Sequence, residues 1–581
     1  MNRGLLATVA VITFVSLAGC KTPRVSKVQI LPLGARRISV ETYVDKMKAG
    51  WIGQMAGVGW GGPTEFKFKG EIIPEDKMPA WTPGRINQFH QDDIYVEMTF
   101  LQTLDEHGLD CSIRQAGIDF ANSGYRLWHA NNAGRTNLRR GIAPPDSGHP
   151  QFNKHADDID YQIEADYAGL IAPGMPNLVI RLGDKFGRLM NYGDGVYAGH
   201  FVGGMYAEAF FTDDVVAITK AGLACIPAEC QYAEMVRDFL AWYQKNPDDW
   251  QKTWEWIEEK YHKDPKYTHG LCSGPGGEGK FSIDAKLNGA YILMGLFYGK
   301  GDPDQTIVIS TRCGQDSDCN PSNAAGILFT TMGFENLPKK YVSALDPEGT
   351  FSHTPYTFPK LVEVSKKLVR QALAKMGGKV ETAGGKEVFV IPVEAPKPSA
   401  VMACYAPGPA ANSKFTEAEM AQIKPPPPAK KRKGQASKKG IAEAVTKFAK
   451  GWTAKNCGAD MDPGLRDKWG GNEKVLVTHP LSEDTGCTLA RTVEVPDGKT
   501  TTLRLVVGHD PRGDWTLAVR AAGKQLVRQK IGKATCTNGW QTVEVDLTPM
   551  SGKTVPLELV NEADGWSWEA GYWAEIDVVS E

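Results

Sequence analysis

The chain has 581 residues, of which 42% are hydrophobic and 9% aromatic, so it can bury sizeable cores and is not disordered throughout. Lysine and arginine (66) nearly balance aspartate and glutamate (68), and the net charge of −2 gives no global electrostatic reason to bind nucleic acid. The 11 cysteines include no CxxC pair and no Cys/His zinc spacing, so a metal site is expected to use oxygen ligands.

Residues 1–20 contain the three parts of a bacterial lipoprotein signal. Asn2-Arg3 is a short cationic start, Leu5 to Leu17 is an apolar run too short to span a bilayer, and small residues precede Cys20. The alternative is an ordinary export signal in which Cys20 is incidental. The lipoprotein interpretation predicts cleavage before Cys20 and a lipid on its thiol. The protein is then extracytoplasmic and anchored to a bacterial membrane, on the periplasmic or surface face of the outer membrane.

Residues 39–380 are predicted to form one all-α domain, because apolar residues recur at helical spacing and alternating strands are scarce. The first helix is predicted to follow Ser39 and to end in the glycine run that begins at Gly57. Further helices are predicted from about residue 92 to Gly108, and over Tyr232–Tyr243, Leu287–Tyr298, 321–332 and Phe358–Met376.

The composition changes twice after this domain. Between about residues 385 and 445, prolines such as Pro425 to Pro428 and the basic run Lys430 to Lys433 predict an extended, solvated linker. From about residue 450 to Glu581 the hydrophobic period is two, and short strands between turn signals predict a β-sandwich. Its last part carries aromatic residues that either fill the core or stack on sugar rings, namely Trp566, Trp568, Tyr572 and Trp573.

Five of the cysteines are candidates for disulfides in an exported protein. Cys225 and Cys230 are five residues apart, and the sandwich region contains Cys457, Cys487 and Cys536. The sequence does not assign a pairing, and buried free thiols are the alternative.

Three separated segments place carboxylates beside a glycine-rich bend or a helix start. They are Gly57–Phe66, which includes Glu65; His90-Gln91-Asp92-Asp93; and Cys313–Asn320, which includes Asp316 and Asp318. A single aspartate at a helix start caps backbone amides and complements the helix dipole, so each segment alone has a structural explanation. Adjacent carboxylates and an Asp-x-Asp spacing exceed that need, and they predict a bound divalent cation such as Mg²⁺, Mn²⁺ or Ca²⁺.

The order and spacing of these segments resemble the motifs of the ADP-ribosylglycohydrolases, over roughly residues 40–375. Members of that family carry a glycine-rich stretch with a Glu, a Thr-Asp-Asp at a helix start, and a distant Asp-x-Asp-Thr before an Ala-rich helix. The counterparts here are Glu65, Gln91-Asp92-Asp93 and Asp316-Ser317-Asp318-Cys319. The resemblance implies an all-α fold around two Mg²⁺ (or Mn²⁺) ions and hydrolysis of glycosidic bonds to ribose-like sugars.

The resemblance also implies roles for individual residues. Glu65 corresponds to the general acid and base, acting together with Asp92 and Asp316. The chain departs from the family where Gln91 and Cys319 stand for threonine ligands and Val58 stands for an aspartate. Because a thiol is a poor Mg²⁺ ligand, one metal site is expected to be weaker or different. The implied metal ligands are Gln91, Asp92, Asp93, Asp316, Asp318 and Cys319.

The substrate contacts are less defined, because the family's Asn-Gly-Ala sugar-binding segment is not visible in that form. In its place the segment 155–166 is dense in aspartates. Polar and aromatic residues in the middle of the domain either line a sugar-binding cleft or form loop turns. The candidates for substrate binding are Trp128, His129, Asn131, Asp157, Asp158, Gln162, Glu164, Tyr192, Asp194 and His200.

The sequence therefore predicts a metal-dependent glycosidase that cleaves an O- or N-glycosidic bond of an extracytoplasmic glycan or riboside-like substrate. The export signal and the appended sandwich favour such a substrate over modified intracellular proteins. Two alternatives stay open. One is an ADP-ribosyl-protein or ADP-ribose glycohydrolase, which predicts release of ADP-ribose. The other is a non-catalytic glycan-binding lipoprotein, which predicts sugar binding without hydrolysis and without a metal requirement.

Overall fold

The computed structural model describes residues 34–88, 91–268, 281–424, 438–482, 485–564 and 568–581. The chain divides into two compact units, Met1–Pro426 and Pro427–Glu581. The export signal with Cys20, His90, the proline and basic runs of the predicted linker, and Trp566 all lie outside the described residues. Within the described ranges, no helix is both long and apolar enough to cross a membrane.

The first unit is helical, as predicted, and its helices surround one large apolar core. The predicted helices are present, with ends within a few residues of the expected ones. The helices are α1 (Val40–Gly61), α2 (Asp92–His107), α3 (Ile113–Asn122), α4 (His129–Arg139), α5 (Asp160–Ile163), α6 (Asp166–Leu170), α7 (Pro176–Phe186), α8 (Asp194–Ala209), α9 (Val215–Ala224), α10 (Gln231–Tyr243), α11 (Trp250–Ile257), α12 (Ala285–Tyr298), α13 (Pro303–Arg312), α14 (Cys319–Met332), α15 (Phe358–Lys375) and α16 (Glu417–Met420).

The glycines of helix α1 allow close packing against neighbouring backbone. It begins after Ser39, whose side chain accepts a backbone hydrogen bond at 3.0 Å and so caps the first turn. As predicted, the helix ends within the glycine run, at Gly61. A Cβ on Gly57 would overlap the backbone of Ser322, and a Cβ on Gly61 would overlap the backbone of Ser317. The glycines therefore allow α1 to approach α14 and the bend before it, instead of providing the flexible bend that the sequence suggests.

The predicted linker is folded in its first part. Three strands, β1 (Ala35–Ser39), β2 (Lys379–Ala383) and β3 (Lys386–Pro392), form an antiparallel sheet in the order β1-β3-β2. The chain beyond β3 is then held by side chains of the helical unit. Arg114 donates to Glu419 at 2.6 Å, and Asp146 accepts the amide of Ala411 at 2.9 Å. The linker prediction is wrong for residues 386–424, because these extended segments pair and bond with the first unit.

The second unit is a β-sandwich, as predicted, and α17 (Lys438–Phe448) packs on its core at the end of the predicted linker. Two antiparallel sheets, in the orders β10-β9-β12-β7-β4 and β11-β8-β13-β6-β5, enclose Trp515 and Trp573. The strands are β4 (Thr453–Lys455), β5 (Gly464–Trp469), β6 (Asn472–Thr478), β7 (Cys487–Val495), β8 (Thr501–His509), β9 (Trp515–Ala521), β10 (Lys524–Ile531), β11 (Trp540–Asp546), β12 (Lys553–Glu562) and β13 (Gly571–Ser580).

The structure contains one of the disulfides that the sequence allows. Cys457 and Cys487 form a disulfide that joins the start of the sandwich to β7, and Cys536 is free. A disulfide between Cys225 and Cys230 is wrong, because both thiols are free and buried. Cys230 instead caps the start of α10, where its sulfur accepts a backbone amide at 3.3 Å.

Candidate metal centre

An acidic cluster forms where the starts of two sequence-distant helices meet. Asp92 and Asp93 open α2, while Asp316 and Asp318 lie in the bend that leads into Cys319, the first residue of α14. Asp92, Asp93 and Cys319 each present a ligand atom, and these atoms lie within 4.8 Å of one another. Asp316, Asp318 and Cys319 form a second such group. The two acidic motifs therefore share one site.

The bend before α14 is fixed by its backbone and by the segment that follows α1. Gly314 and Gln315 have positive φ angles of 82° and 54°, which turn the chain sharply before the first aspartate of the motif. The hydroxyl of Ser317 lies 2.9 Å from that of Thr64 and shares a hydrogen bond with it. This bond holds Glu65, the next residue along, beside the acidic bend.

Gln91 occupies the position before α2 without capping the helix through its side chain. Its Nε2 donates to the Oδ2 of Asp318 at 3.4 Å, so the amide reaches from one motif to the other. A carboxamide binds a cation through its oxygen, not its nitrogen. Gln91 can therefore bind a cation only if its side-chain amide rotates so that its oxygen, and not its nitrogen, faces the cluster.

Burial and mutual repulsion make the cluster costly when no cation is bound. Burial, followed by the charge of Asp318, raises the pKa of Asp92 to about 6 and raises the pKa of Asp93 and Asp316 well above 3.8. Both carboxylate oxygens of Asp93, and Oδ1 of Asp316, are buried without a hydrogen-bond partner among the described residues. A divalent cation satisfies such oxygens and removes the repulsion.

The donor set fits a hard divalent cation except at one position. Carboxylate oxygens are the ligands that Mg²⁺ and Mn²⁺ prefer. Cys319 lies in both ligand groups, but burial raises the pKa of its thiol well above 9.0, so without a cation the sulfur stays protonated. The aspartates can therefore hold a metal ion, and Cys319 is the least suited of the neighbouring groups.

Glu65 adds a fifth carboxyl at the edge of the cluster. It follows the short 3₁₀ helix Gly62–Thr64. Burial raises the pKa of Glu65 to about 8, the charges of Asp318 and Asp92 add to this shift, and Lys67 opposes it. With no cation bound, Glu65 is therefore mostly protonated at neutral pH.

A cleft of about 170 Å³ lies over these groups. Trp128 is 42% exposed, and its ring also contacts the guanidinium of Arg126 at 4.9 Å. His129 packs against Phe281, with ring centroids 5.6 Å apart. The cleft thus combines carboxyl groups with aromatic and aliphatic side chains. Its lining residues are Glu65, Phe66, Asp92, Trp128, His129, Ile159, Asp160, Ile163, Ile283, Asp316 and Cys319.

Several predicted substrate contacts instead support the start of α4. Helix α4 has no side-chain cap from the residue before it, and Asp158 accepts the amide of Ala130 at 2.9 Å. The side chain of Asn131 donates to Glu164, and both are buried. Asp157 is also buried, beside α12. The side chains of Asn131, Asp158 and Glu164 make internal hydrogen bonds, and none of the four residues Asn131, Asp157, Asp158 and Glu164 lines the cleft.

Four other predicted contacts do not line the cleft, and three of them are buried in the interior. Gln162 accepts a hydrogen bond from the hydroxyl of Tyr232 at 2.9 Å. Asp194 accepts one from the backbone amide of Tyr232 at 3.1 Å. His200 is fully enclosed, and burial lowers its pKa to about 4, so it stays neutral. Tyr192 bonds to the chain that follows β3. Of the ten candidates, Trp128 and His129 line the cleft.

Some residues near the site carry weak sequence signals. Asp160 lines the cleft and belongs to the aspartate-rich segment 155–166, although it is not among the ten candidates. Glu97 and Asp166 form a second buried acidic layer beside Asp93, and burial raises the pKa of both. Asn323 donates to Asp166 at 2.6 Å. Because Glu97 follows Asp93 by one helical turn of α2, its position is the part of this layer that helical spacing could have identified.

The first unit is thus a helical domain with an acidic cluster that can hold a metal ion, and a cleft lies over this cluster. The sequence profile described as ADP-ribosylglycohydrolase matches residues 39–376, which is more than half of the chain. The chain therefore belongs to the ADP-ribosylglycohydrolase family. Membership of this family implies a glycohydrolase, and the acidic cluster is consistent with the metal dependence typical of it.

Comparison with curated protein sequences gave no match. Among solved structures, an ADP-ribosylglycohydrolase-related protein complex is 12% identical with a TM-score of 0.35, covering 57% of this chain and 100% of that one. A family 35 carbohydrate-binding module from an environmental isolate is 19% identical with a TM-score of 0.17, covering 20% and 82%. A Stig cyclase from Fischerella sp. TAU is 12% identical with a TM-score of 0.19, covering 23% and 86%. With TM-scores this low, no inference rests on these three.

Proposed function

We propose that this protein is a metal-dependent glycosidase that cleaves an O- or N-glycosidic bond of an extracytoplasmic glycan or riboside-like substrate. The observation that carries the proposal is the convergence of two acidic motifs on one cluster, of which Asp92 and Asp316 line the cleft together with Glu65. Buried carboxylate oxygens of this cluster have no hydrogen-bond partner among the described residues. Cations bound there supply charge neutralisation and polarise a sugar hydroxyl or a water. The residues that would hold them are Gln91, Asp92, Asp93, Asp316, Asp318 and Cys319.

The chain's own residues supply the proton transfer and the orientation of the sugar. Glu65 lines the cleft beside the cluster, and its raised pKa favours the protonated form that an acid needs to protonate a leaving oxygen or nitrogen. The resulting carboxylate can then accept a proton from the attacking water. Trp128 and His129 offer aromatic surface to a sugar ring, and Asp160 can accept its hydroxyl groups.

The charge of the cleft supports a glycan or simple riboside over ADP-ribose. Its lining residues within the described ranges include four carboxyl groups and no lysine or arginine. A pyrophosphate is held in proteins by cationic side chains or by backbone amides at a helix start. Without a cationic side chain in this lining, a pyrophosphate could be held only by the bound cations or by amides at the helix starts, so a neutral substrate is favoured.

Export and lipidation at Cys20 form a separate part of the proposal, supported by the cationic start, apolar run and small residues of positions 1–20. The test is expression in a bacterium fed radiolabelled palmitate. The wild-type chain should take up label and sediment with membranes, whereas Cys20→Ser should do neither. Unlabelled wild-type protein would overturn the lipid anchor.

Activity is tested with chromogenic and natural glycosides in the presence of Mg²⁺ or Mn²⁺. Asp316→Ala and Asp92→Ala should lose both turnover and metal uptake while keeping the helical circular-dichroism spectrum. Asp248→Ala is the matched control, because its side chain is 82% exposed and lies outside the cluster. Full activity of Asp316→Ala in EDTA would overturn the mechanism.

The same assay separates the two alternatives. Release of ADP-ribose from a modified protein, faster than hydrolysis of any glycoside, would favour the ADP-ribosyl hydrolase. Binding of sugars without turnover, and without dependence on the cation, would favour the non-catalytic lipoprotein.

A further inference from the structure

The sandwich carries a small apolar cluster on the outer face of one sheet, separate from its core. Trp573 lies in the core, and its neighbour Tyr572 points to the opposite face of β13, as alternation along a strand requires. Tyr572 forms the outer cluster with Val475 and Val477 of β6, and Trp540 of β11 packs against it. A sandwich needs apolar residues between its sheets, so an apolar cluster on the outside calls for a separate explanation.

A glycine makes this outer face a continuous aromatic row. In the register of the sheet, Gly508 of β8 pairs with Tyr572 on one side and with Trp540 on the other. A Cβ on Gly508 would lie 2.9 Å from the ring of Trp540, so this ring lies over the glycine. The ring of Trp469 stacks on that of Tyr572, with centroids 4.8 Å apart and an interplanar angle of 14°.

Polar groups extend the row at one end. The hydroxyl of Tyr572 donates to Asp510 at 3.5 Å, and Arg512 makes two hydrogen bonds to the Asp510 carboxylate, at 2.8 and 3.0 Å. The guanidinium carbon of Arg512 lies 3.5 Å from the ring centroid of Trp568. Trp469 and Trp568 are 36% and 43% exposed. Together with Trp540, these residues are called the aromatic surface below.

The chemistry of the aromatic surface matches that of a sugar. A sugar ring has an apolar C–H face that packs on an exposed indole, and hydroxyl groups that bond to carboxylate and guanidinium groups at its edge. The charges are balanced locally, since Arg512 pairs with Asp510 and Arg466 pairs with Asp462 at 3.0 Å. Balanced charges offer no net attraction to an acidic polymer and therefore favour a neutral ligand.

We propose that the aromatic surface binds a neutral polysaccharide, with sugar rings packed on Trp469 and Trp568 and their hydroxyl groups bonded to Arg512 and Asp510. This site belongs to the second unit alone and is independent of the acidic cleft. It would give the protein a polysaccharide-binding activity in addition to hydrolysis.

The test is affinity electrophoresis of the full chain in native gels that contain hydroxyethylcellulose, xylan, galactomannan or laminarin, with polygalacturonate as the acidic probe. At least one neutral polymer should retard the wild type. Trp469→Ala and Trp568→Ala should each weaken retardation about tenfold, as loss of a central aromatic contact commonly does. Trp469→Tyr should retain most of it, because a planar ring remains.

Two matched controls locate the effect. Val579→Ala removes an exposed apolar side chain, 39% exposed, near the far end of β13, and should not change retardation. Asp316→Ala removes a group of the acidic cleft and should also be retarded like the wild type, so binding can be separated from catalysis. Three results would each overturn the proposal: no retardation by any neutral polymer, retention in the double alanine variant, or a dimer that the tryptophan substitutions dissociate.

Discussion

Substituting Asp92 by asparagine should stabilise the protein when it is free of metal, although the residue stands in the proposed active site. The half-buried carboxyl of Asp92 is held close to Asp318, and this arrangement is favourable only when a cation is present. Asparagine keeps the size of the side chain and removes its charge. The substitution therefore tests the repulsion directly.

The magnitude follows from the pKa of Asp92, which rises from 3.8 to about 6 in the folded protein. Because the folded state binds the proton more tightly than the unfolded state, folding stability decreases as the pH rises through this interval. At 1.36 kcal/mol per pKa unit, the free energy of unfolding decreases by about 3 kcal/mol in total once the pH is above 6. Asp92→Asn should recover about this amount at neutral pH and almost none near pH 4.

The assay is thermal or denaturant unfolding of EDTA-treated protein, followed by circular dichroism near pH 4 and near pH 7. Adding Mg²⁺ or Mn²⁺ should stabilise the wild type at neutral pH, because the cation binds the folded state, and should stabilise Asp92→Asn much less. Asp248→Asn controls for the loss of an exposed negative charge. If Asp92→Asn is equally destabilised at both pH values, and neither cation moves the wild-type transition, the repulsion argument is refuted.

Three further predictions concern other parts of the chain. Glu65→Gln should lower turnover about 10²–10⁴-fold, since it removes the proposed acid, while cation-induced stabilisation persists; unchanged turnover would exclude Glu65 as the acid. Gly61→Ala should cost about 1–3 kcal/mol and weaken metal binding, because the methyl group overlaps the acidic bend. Its control is Gly84→Ala, where a Cβ meets nothing within 4 Å, and equal unfolding of the two variants would contradict the packing argument. Cys457→Ser should destabilise the sandwich by about 3–4 kcal/mol, because the disulfide closes a separation of 30 residues, whereas Cys536→Ser should have little effect on the denaturant midpoint.

The sequence predicts the parts of the fold that depend on local pattern. Helical spacing in α1, α2 and α14 identifies their apolar faces, and alternation identifies the inward positions of strands such as β8. The acidic motifs are recognisable for a similar reason, since Asp92-Asp93 and Asp316-Ser317-Asp318 contain more charge than helix capping requires. Their meeting at one site depends on tertiary packing, and the sequence indicates it only through the family resemblance.

The sequence misleads where one residue type serves two purposes. Gly57 is typical of both a flexible bend and a close helix contact, and contact with α14 is what the structure contains. Asp158 is equally suited to sugar hydroxyls and to the open end of α4, and the helix end uses it, while the side chain of Asn131 is used by Glu164. Local composition cannot separate these uses, because the partner that decides between them is distant in the chain.

The segment that follows β3 determines where the first unit can be truncated. Residues 39–376 match the family, but β3 pairs with both β1 and β2, and Phe415 lies in the same core as α1. A fragment that stops near residue 380 would leave β1 without its neighbour in the sheet and Arg114 without Glu419. A fragment made to test the proposed hydrolysis should therefore run to residue 424 if it is to fold alone.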